Sequence, residues 1–189
     1  MEDNMPPKVR ISKEDVINTA VATVREHGAD ALNARALAER LGCSTQPIFS
    51  NFETMDKLRF AVLEYAESLY STYTENELKS QKYPSYKATG MAYIRFAKEE
   101  KELFKLLFMR DRSDEDSPLG FAKSISDIVK STTGLSEDKA RLFHLEMWIY
   151  VHGIATMTAT GFLELDEELI SNIITDAYQG MRKRFDGKE

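Results

Sequence analysis

Gly42 follows Asn33 by nine residues, and that interval constrains the chain more than any other feature of it. Asn is a favoured helix N-cap and Gly a favoured C-cap, so a helix opened by Asn33 closes after about two turns, short for a globular protein. Its apolar stripe is Ala34, Leu37, Ala38 and Leu41, and a second helix has to begin almost at once, because residues 41–52 read LGCSTQPIFSNF. Ser44 is the next cap candidate. Ile48, Phe49 and Phe52 are spaced to seat this short helix on the two before it, which leaves Thr45, Gln46, Pro47, Ser50 and Asn51 facing out. Two short helices joined by a tight glycine turn make a helix-turn-helix, and in that motif the second helix enters the DNA major groove.

The outward residue types suit the task. Gln and Asn form bidentate bonds to adenine, Thr and Ser bond bases or phosphates, and Pro or the Thr methyl can touch a thymine methyl. The helix start at Asn33 offers backbone N–H groups to a phosphate. Pro47 is tolerable early in a helix, where its missing N–H would go unpaired, and with Ser44 as cap the bond falls to the N–H of Gln46. Two short core helices with a polar outer face would show the same pattern.

Helical periodicity runs through nearly every other segment, and strand alternation is nowhere sustained. Ser12 and Asp15 form a capping-box pattern before the stripe Val16, Ile17, Ala20, Val21 and Val24, and Gly28 closes that helix. A longer helix starts at Thr54 and fades near Lys79. After the break at Lys82-Tyr83-Pro84, further helices are expected over 85–100, 101–110, 118–131, 136–160 and 166–185. The expected fold is therefore all-α. A three-helix DNA-binding domain over residues 8–54 continues, through the helix from 54, into a helical-bundle regulatory and dimerisation domain over residues 55–189.

Charge narrows the partners. The net charge is −6 over 189 residues, and residues 1–60 carry 8 Lys/Arg against 9 Asp/Glu. Such a chain is no general polyanion binder; it fits a dimer that holds specific DNA sites and binds weakly elsewhere. Lys8, Arg10 and Lys13 form a small basic arm. The single cysteine, Cys43, allows no internal disulfide, the first residues lack an apolar signal core, and Leu142–Met157 is broken by His144, Glu146 and His152. A cytoplasmic protein without a membrane span is expected.

Enzyme chemistry finds no constellation. There is no H-E-x-x-H, Walker loop, G-x-S-x-G or G-x-G-x-x-G run. His27 precedes a helix end, and His144 and His152 lie about 12 Å apart along a helix, too far to share a metal. The run Asp111–Asp116 lacks the glycine and final glutamate of a calcium loop and reads as solvated. No cofactor is expected.

Residues 12–58 resemble the DNA-binding domain of the tetracycline-repressor (TetR) family of transcriptional regulators. The resemblance rests on Ala20 and Gly28, the run Ala36–Gly42 (ALAERLG), Ser44, Ile48-Phe49 where Leu-Tyr is usual, and Phe52 and Leu58. It implies DNA contacts by Arg10, Asn33, Ser44, Thr45, Gln46, Pro47, Phe49, Ser50, Asn51 and Lys57. Phe49 lacks the usual phenol, and Met55 stands where a lysine is usual, which leaves the phosphate contact to Lys57 or the Lys8/Arg10 arm. WIYVHG (Trp148–Gly153) is similar to a Trp-His-Gly signature in the regulatory domain of one branch of that family.

His144, Trp148, His152 and Ala155 share one face of the helix 136–160, and buried imidazoles each need a hydrogen-bond partner. With Met91, Phe104 and Phe108 on facing helices, this face predicts a mostly apolar pocket in which Trp148 and His152 bind a hydrophobic or aromatic effector. Met91, Tyr93, Phe96, Phe104, Phe108 and Met109 taken singly read as core. The helix 166–185 is apolar over a broad face, beside another with no polar side, which predicts a homodimer through these last two helices. The expected function is sequence-specific DNA binding at a double-stranded operator, repressing transcription until a small hydrophobic ligand releases it. A helical ligand-binding or interaction module without DNA binding is the alternative.

Overall fold

Ser12 opens the first helix with a reciprocal cap. Its Oγ accepts from the Asp15 N–H at 3.0 Å while the Asp15 carboxylate accepts from the Ser12 N–H at 2.8 Å. The hydrogen bonds from Ser12 hold the Asp15 carboxyl below its usual range. The computed structural model describes residues 11–111 and 123–186. Among them are nine α-helices and no strand: α1 (Lys13–His27), α2 (Ala34–Leu41), α3 (Gln46–Phe52), α4 (Met55–Ser80), α5 (Ser85–Glu99), α6 (Lys101–Phe108), α7 (Lys123–Thr133), α8 (Glu137–Ala159) and α9 (Glu167–Phe185). The all-α fold expected from periodicity is the one observed. Residues 118–122 of the expected seventh helix lie outside the described residues, as do Lys8, Arg10 and most of the acidic run after Asp111.

The chain forms two compact units, Met1–Ala66 and Glu67–Glu189. In the first, Val16, Ala20, Val21 and Val24 of α1 are buried with Leu37, Ile48, Phe52 and Leu58, the periodic positions of the next three helices. Gly28 departs from a simple cap. It sits at φ 80°, ψ 169°, a region open essentially to glycine alone, and leads into a single 3-10 turn, Ala29–Ala31, before Asn33 caps α2. Gly42 takes the left-handed helical conformation (φ 63°, ψ 33°), and its N–H returns to the carbonyls of Ala38 and Glu39.

The second unit is arranged around α5, which packs on α6, α7, α8 and α9. Its length is buried nearly all round, from Tyr86 and Ala88 through Met91, Ala92 and Tyr93 to Phe96 and Ala97. Asp166 starts α9 by accepting from the Leu169 N–H at 2.7 Å. A charge network joins α4, α5 and α9: Arg95 bridges Glu77 at 2.7 Å and Glu167 at 3.3 Å, and Lys82 meets Glu167 at 2.8 Å. Glu77 is 2% exposed and meets the Arg95 guanidinium there. No helix of the described residues is long and apolar enough to cross a membrane.

Candidate functional site

The polar face of the first unit is built on α2 and α3. Asn33 is exposed; its Oδ1 accepts from the Ala36 N–H at 3.0 Å and its amide donates to Ala31 O at 3.1 Å. Ser44, Gln46 and Ser50 are exposed, Thr45 and Pro47 half-buried. The helix begins one residue later than a Ser44 cap would put it. Thr45 is the N-cap, it is itself in the helical region (φ −71°, ψ −15°), and it makes no side-chain cap bond. Pro47 explains this, since it removes one of the N–H groups a cap would receive.

Two further residues depart from expectation. Phe49 is 41% exposed, so Ile48 and Phe52 alone seat the helix. Asn51 turns inward instead of out: its amide donates to Pro47 O at 2.8 Å and to Ile11 O at 3.3 Å, tying α3 to the chain before α1. Lys57 is exposed and bonds Glu53 at 2.6 Å, an i,i+4 surface pair of little energetic weight. Arg10 lies outside the described residues. Arg35 is exposed on the first turn of α2 and pairs with no carboxylate among the described residues.

The second unit holds a cavity of about 530 Å³. Tyr86, Lys87, Gly90 and Tyr93 of α5 line one wall, His144, Met147, Trp148 and Val151 of α8 another, and Ile174, Thr175, Tyr178 and Gln179 of α9 a third. Tyr70 and Phe108 close it from α4 and α6. Two phenol–imidazole pairs link its walls: Tyr86 Oη lies 2.9 Å from His144 Nδ1, and Tyr93 Oη 2.8 Å from His152 Nδ1. The expected hydrogen-bond partners of both imidazoles are these tyrosines. Trp148 stacks on His152 with ring centres 4.8 Å apart and planes 14° apart.

Of the residues expected to bind ligand, Phe108 and Trp148 line the cavity. His152 does not; it stands behind Trp148 and Tyr93 and holds both. Met91 and Phe104 are buried core side chains outside the lining. The tyrosines Tyr70, Tyr86 and Tyr178 also line the cavity, and helical spacing alone does not distinguish such a ring from core.

Burial also sets the charge state. It lowers His144 to about 4 and lowers His152, so both rings are neutral near neutral pH. Burial pushes the Tyr70 phenol up to about 12. For a base whose folded pKa lies below its unfolded value of about 6.5, the unfolded chain binds the proton first. Stability should therefore hold above pH 6.5 and fall as pH drops from there toward 4. Urea unfolding at pH 7.5 and pH 5 will show a lower midpoint at pH 5, and a His144→Gln variant will show a smaller difference between the two. Equal differences in parent and variant would mean His144 is protonated in the fold.

No curated protein matches the sequence at a significant level. Residues 86–176 match the family described as Tetracyclin repressor-like, C-terminal domain. This segment is TetR-like. A protein of unknown function from Rhodococcus sp. RHA1 superposes with a TM-score of 0.69 and 21% identity, over 95% of this chain and 97% of its own. A TetR family member from Streptomyces coelicolor A3 gives 0.62 and 16%, over 88% and 98%. The multidrug binding protein EbrR, solved with imidazole, gives 0.60 and 16%, over 87% and 88%. The matched TetR-like segment runs from α5 through α8 into the first half of α9 and carries most of the described residues that line the cavity.

Proposed function

We propose that this TetR-like protein is a sequence-specific DNA-binding transcriptional repressor released by a small hydrophobic or aromatic ligand. The observation that carries the reading is the pairing of two features on one chain: an α2–Gly42–α3 unit with an exposed polar face, and an aromatic-lined cavity in the other unit. Residues 8–54 act as the reading domain and 55–189 as the ligand-binding and dimerisation domain. Gln46 and Ser50 read bases. Thr45, Pro47 and Phe49 flank them, and the α2 start at Asn33, with Arg35, Lys57 and Arg10, meets phosphate. Ser44 supports the start of the reader. Asn51 contributes mainly by holding α3 in place.

A homodimer through α8 and α9 completes the reading. Leu142 and Ile149, two turns apart on α8, are exposed, Ile149 by 57%, and Leu169 of α9 and Phe162 between the helices are exposed as well. A second copy would cover them and would place two reading helices about one DNA turn apart.

The test is a gel shift on an operator selected from random duplexes. Gln46→Ala should weaken specific binding by about 1–3 kcal/mol per base contact and leave nonspecific binding nearly unchanged. The complex should contain two chains by light scattering. Tight, unaltered binding by the Gln46 variant would mean α3 is not the reader. One observation favours a second reading, a ligand-binding module without DNA binding: residues 1–60 carry no net positive charge. Failure to select any operator would support it.

A further inference from the structure

We infer that the cavity takes a small hydrophobic acid, whose carboxylate meets the Lys87 ammonium while its apolar body lies against Tyr93, Phe108 and Trp148. The inference deepens the reading of the cavity as a ligand site and rests on it. Lys87 is half-buried at the cavity wall, with its Nζ 2.6 Å from Ser171 Oγ and 2.8 Å from Thr175 Oγ1. The same ammonium stands 4.9 Å from the ring centre of Tyr83. All of these partners are neutral, and no carboxylate among the described residues pairs with Lys87. Glu167, one turn before Ser171 on α9, is taken up by Lys82, Tyr83 and Arg95. The bond from Lys82 holds it below the usual carboxylate range, as an anion.

The lining is as selective in what it lacks. No aspartate or glutamate is among the described lining residues, in a chain whose net charge is −6, and Lys87 is the charged residue that remains. His144 is neutral near neutral pH. A half-buried cation held by two hydroxyls and a ring, all neutral, leaves a positive potential in an apolar space, which an anion neutralises and a cation does not. Aromatic walls can also attract cations through open ring faces. Here His152 covers one face of Trp148, and Tyr93 is crowded by Phe104 at 5.3 Å and Phe108 at 4.8 Å, so a cation would have to win on the remaining ring surface against the Lys87 charge. Lys87 and Tyr93 stand six residues apart on one helix, about 9 Å along its axis, the span of a ring joined to an acid by a short alkyl chain.

Three probes of one shape decide the matter: phenylbutyrate, phenylbutanol and phenylbutyltrimethylammonium, each titrated into the full chain by calorimetry and by Trp148 emission. The acid should bind about ten- to a hundredfold more tightly than the alcohol, the range of a hydrogen bond to a charged group, and the ammonium should bind most weakly. In Lys87→Met the acid should lose that advantage while the alcohol keeps its affinity. Lys87→Arg should retain the preference for the acid. Equal binding of acid and alcohol, or an acid preference that survives in Lys87→Met, would overturn the charge assignment and leave the cavity a ligand site. If none of the three binds or moves Trp148 emission, the reading of the cavity fails, and this inference with it.

Discussion

Exchanging Arg95 for methionine will cost the second unit about 3 kcal/mol of stability. The reason is Glu77, whose side chain is 2% exposed and whose Oε2 receives Arg95 at 2.7 Å. Removing the guanidinium strands a carboxylate that water cannot reach, a loss of about 3–5 kcal/mol when the pair is fully buried. Arg95 is 38% exposed, which places the expected cost at the lower end. Glu167 loses one partner in the same exchange but keeps Lys82, so it adds little. The double exchange Arg95→Met with Glu77→Leu should restore most of the loss, since replacing a whole buried pair by apolar groups is close to neutral. Urea midpoints of the parent, single and double variants test this. A single variant that unfolds with the parent would show that Glu77 is not held by Arg95.

Phe104→Ala should cost at least as much, about 3–5 kcal/mol, for a different reason. Phe104 is fully buried, between Tyr93 and Phe108, each 5.3 Å from its ring centre. Deleting the ring leaves a void in packed surroundings. Phe108, half-buried and on the cavity lining, should show the reverse balance. Its removal widens a space that already exists, so stability falls less while binding of an aromatic probe, followed at Trp148, weakens more. If Phe108→Ala proved the more destabilising of the two, the division between core and lining would be wrong.

The nine helices were legible because their ends are marked by residues whose chemistry acts locally. Ser12 with Asp15, Asn33, and Asp166 each satisfy orphan N–H groups within three residues, and Gly42 and Gly28 stop helices through their own backbone freedom. Thr45 shows where local marking fails: it starts α3 one residue after Ser44, from a helical backbone conformation and with no side-chain cap bond. The 3-10 turn after Gly28 carried no signal, because three residues of alanine and aspartate fit loop and turn alike.

The cavity was legible only in part. Periodicity says that a helix has an apolar side, not whether a given ring on it meets another side chain or an empty space. Met91, Phe104 and Phe108 were alike on that ground, and only the path of α6 beside α5 sorts Phe108 onto the lining and the others into the core. His152 was conspicuous for its polarity, yet polarity alone could not say whether it faces the space or braces what does. Asn51 carries the same lesson. An amide on the outer edge of a short helix looks free until the carbonyl of Ile11, forty residues away in sequence, is placed beside it.

The two phenol–imidazole pairs carry a mechanical consequence. Tyr86 and Tyr93 stand seven residues apart on α5, while His144 and His152 stand eight apart on α8, and the pairs rise in step, so the two helices run the same way with two cross-ties about two turns apart. Sliding α8 by one residue would swing both imidazoles by about 100° around its axis and break both ties together. The two ties together oppose a slide of one helix past the other. A guest in the cavity meets α5 and α8 as the tied side. Whatever gives way must be the opposite side, where Ile174, Thr175 and Tyr178 face it from α9 and Phe108 from α6.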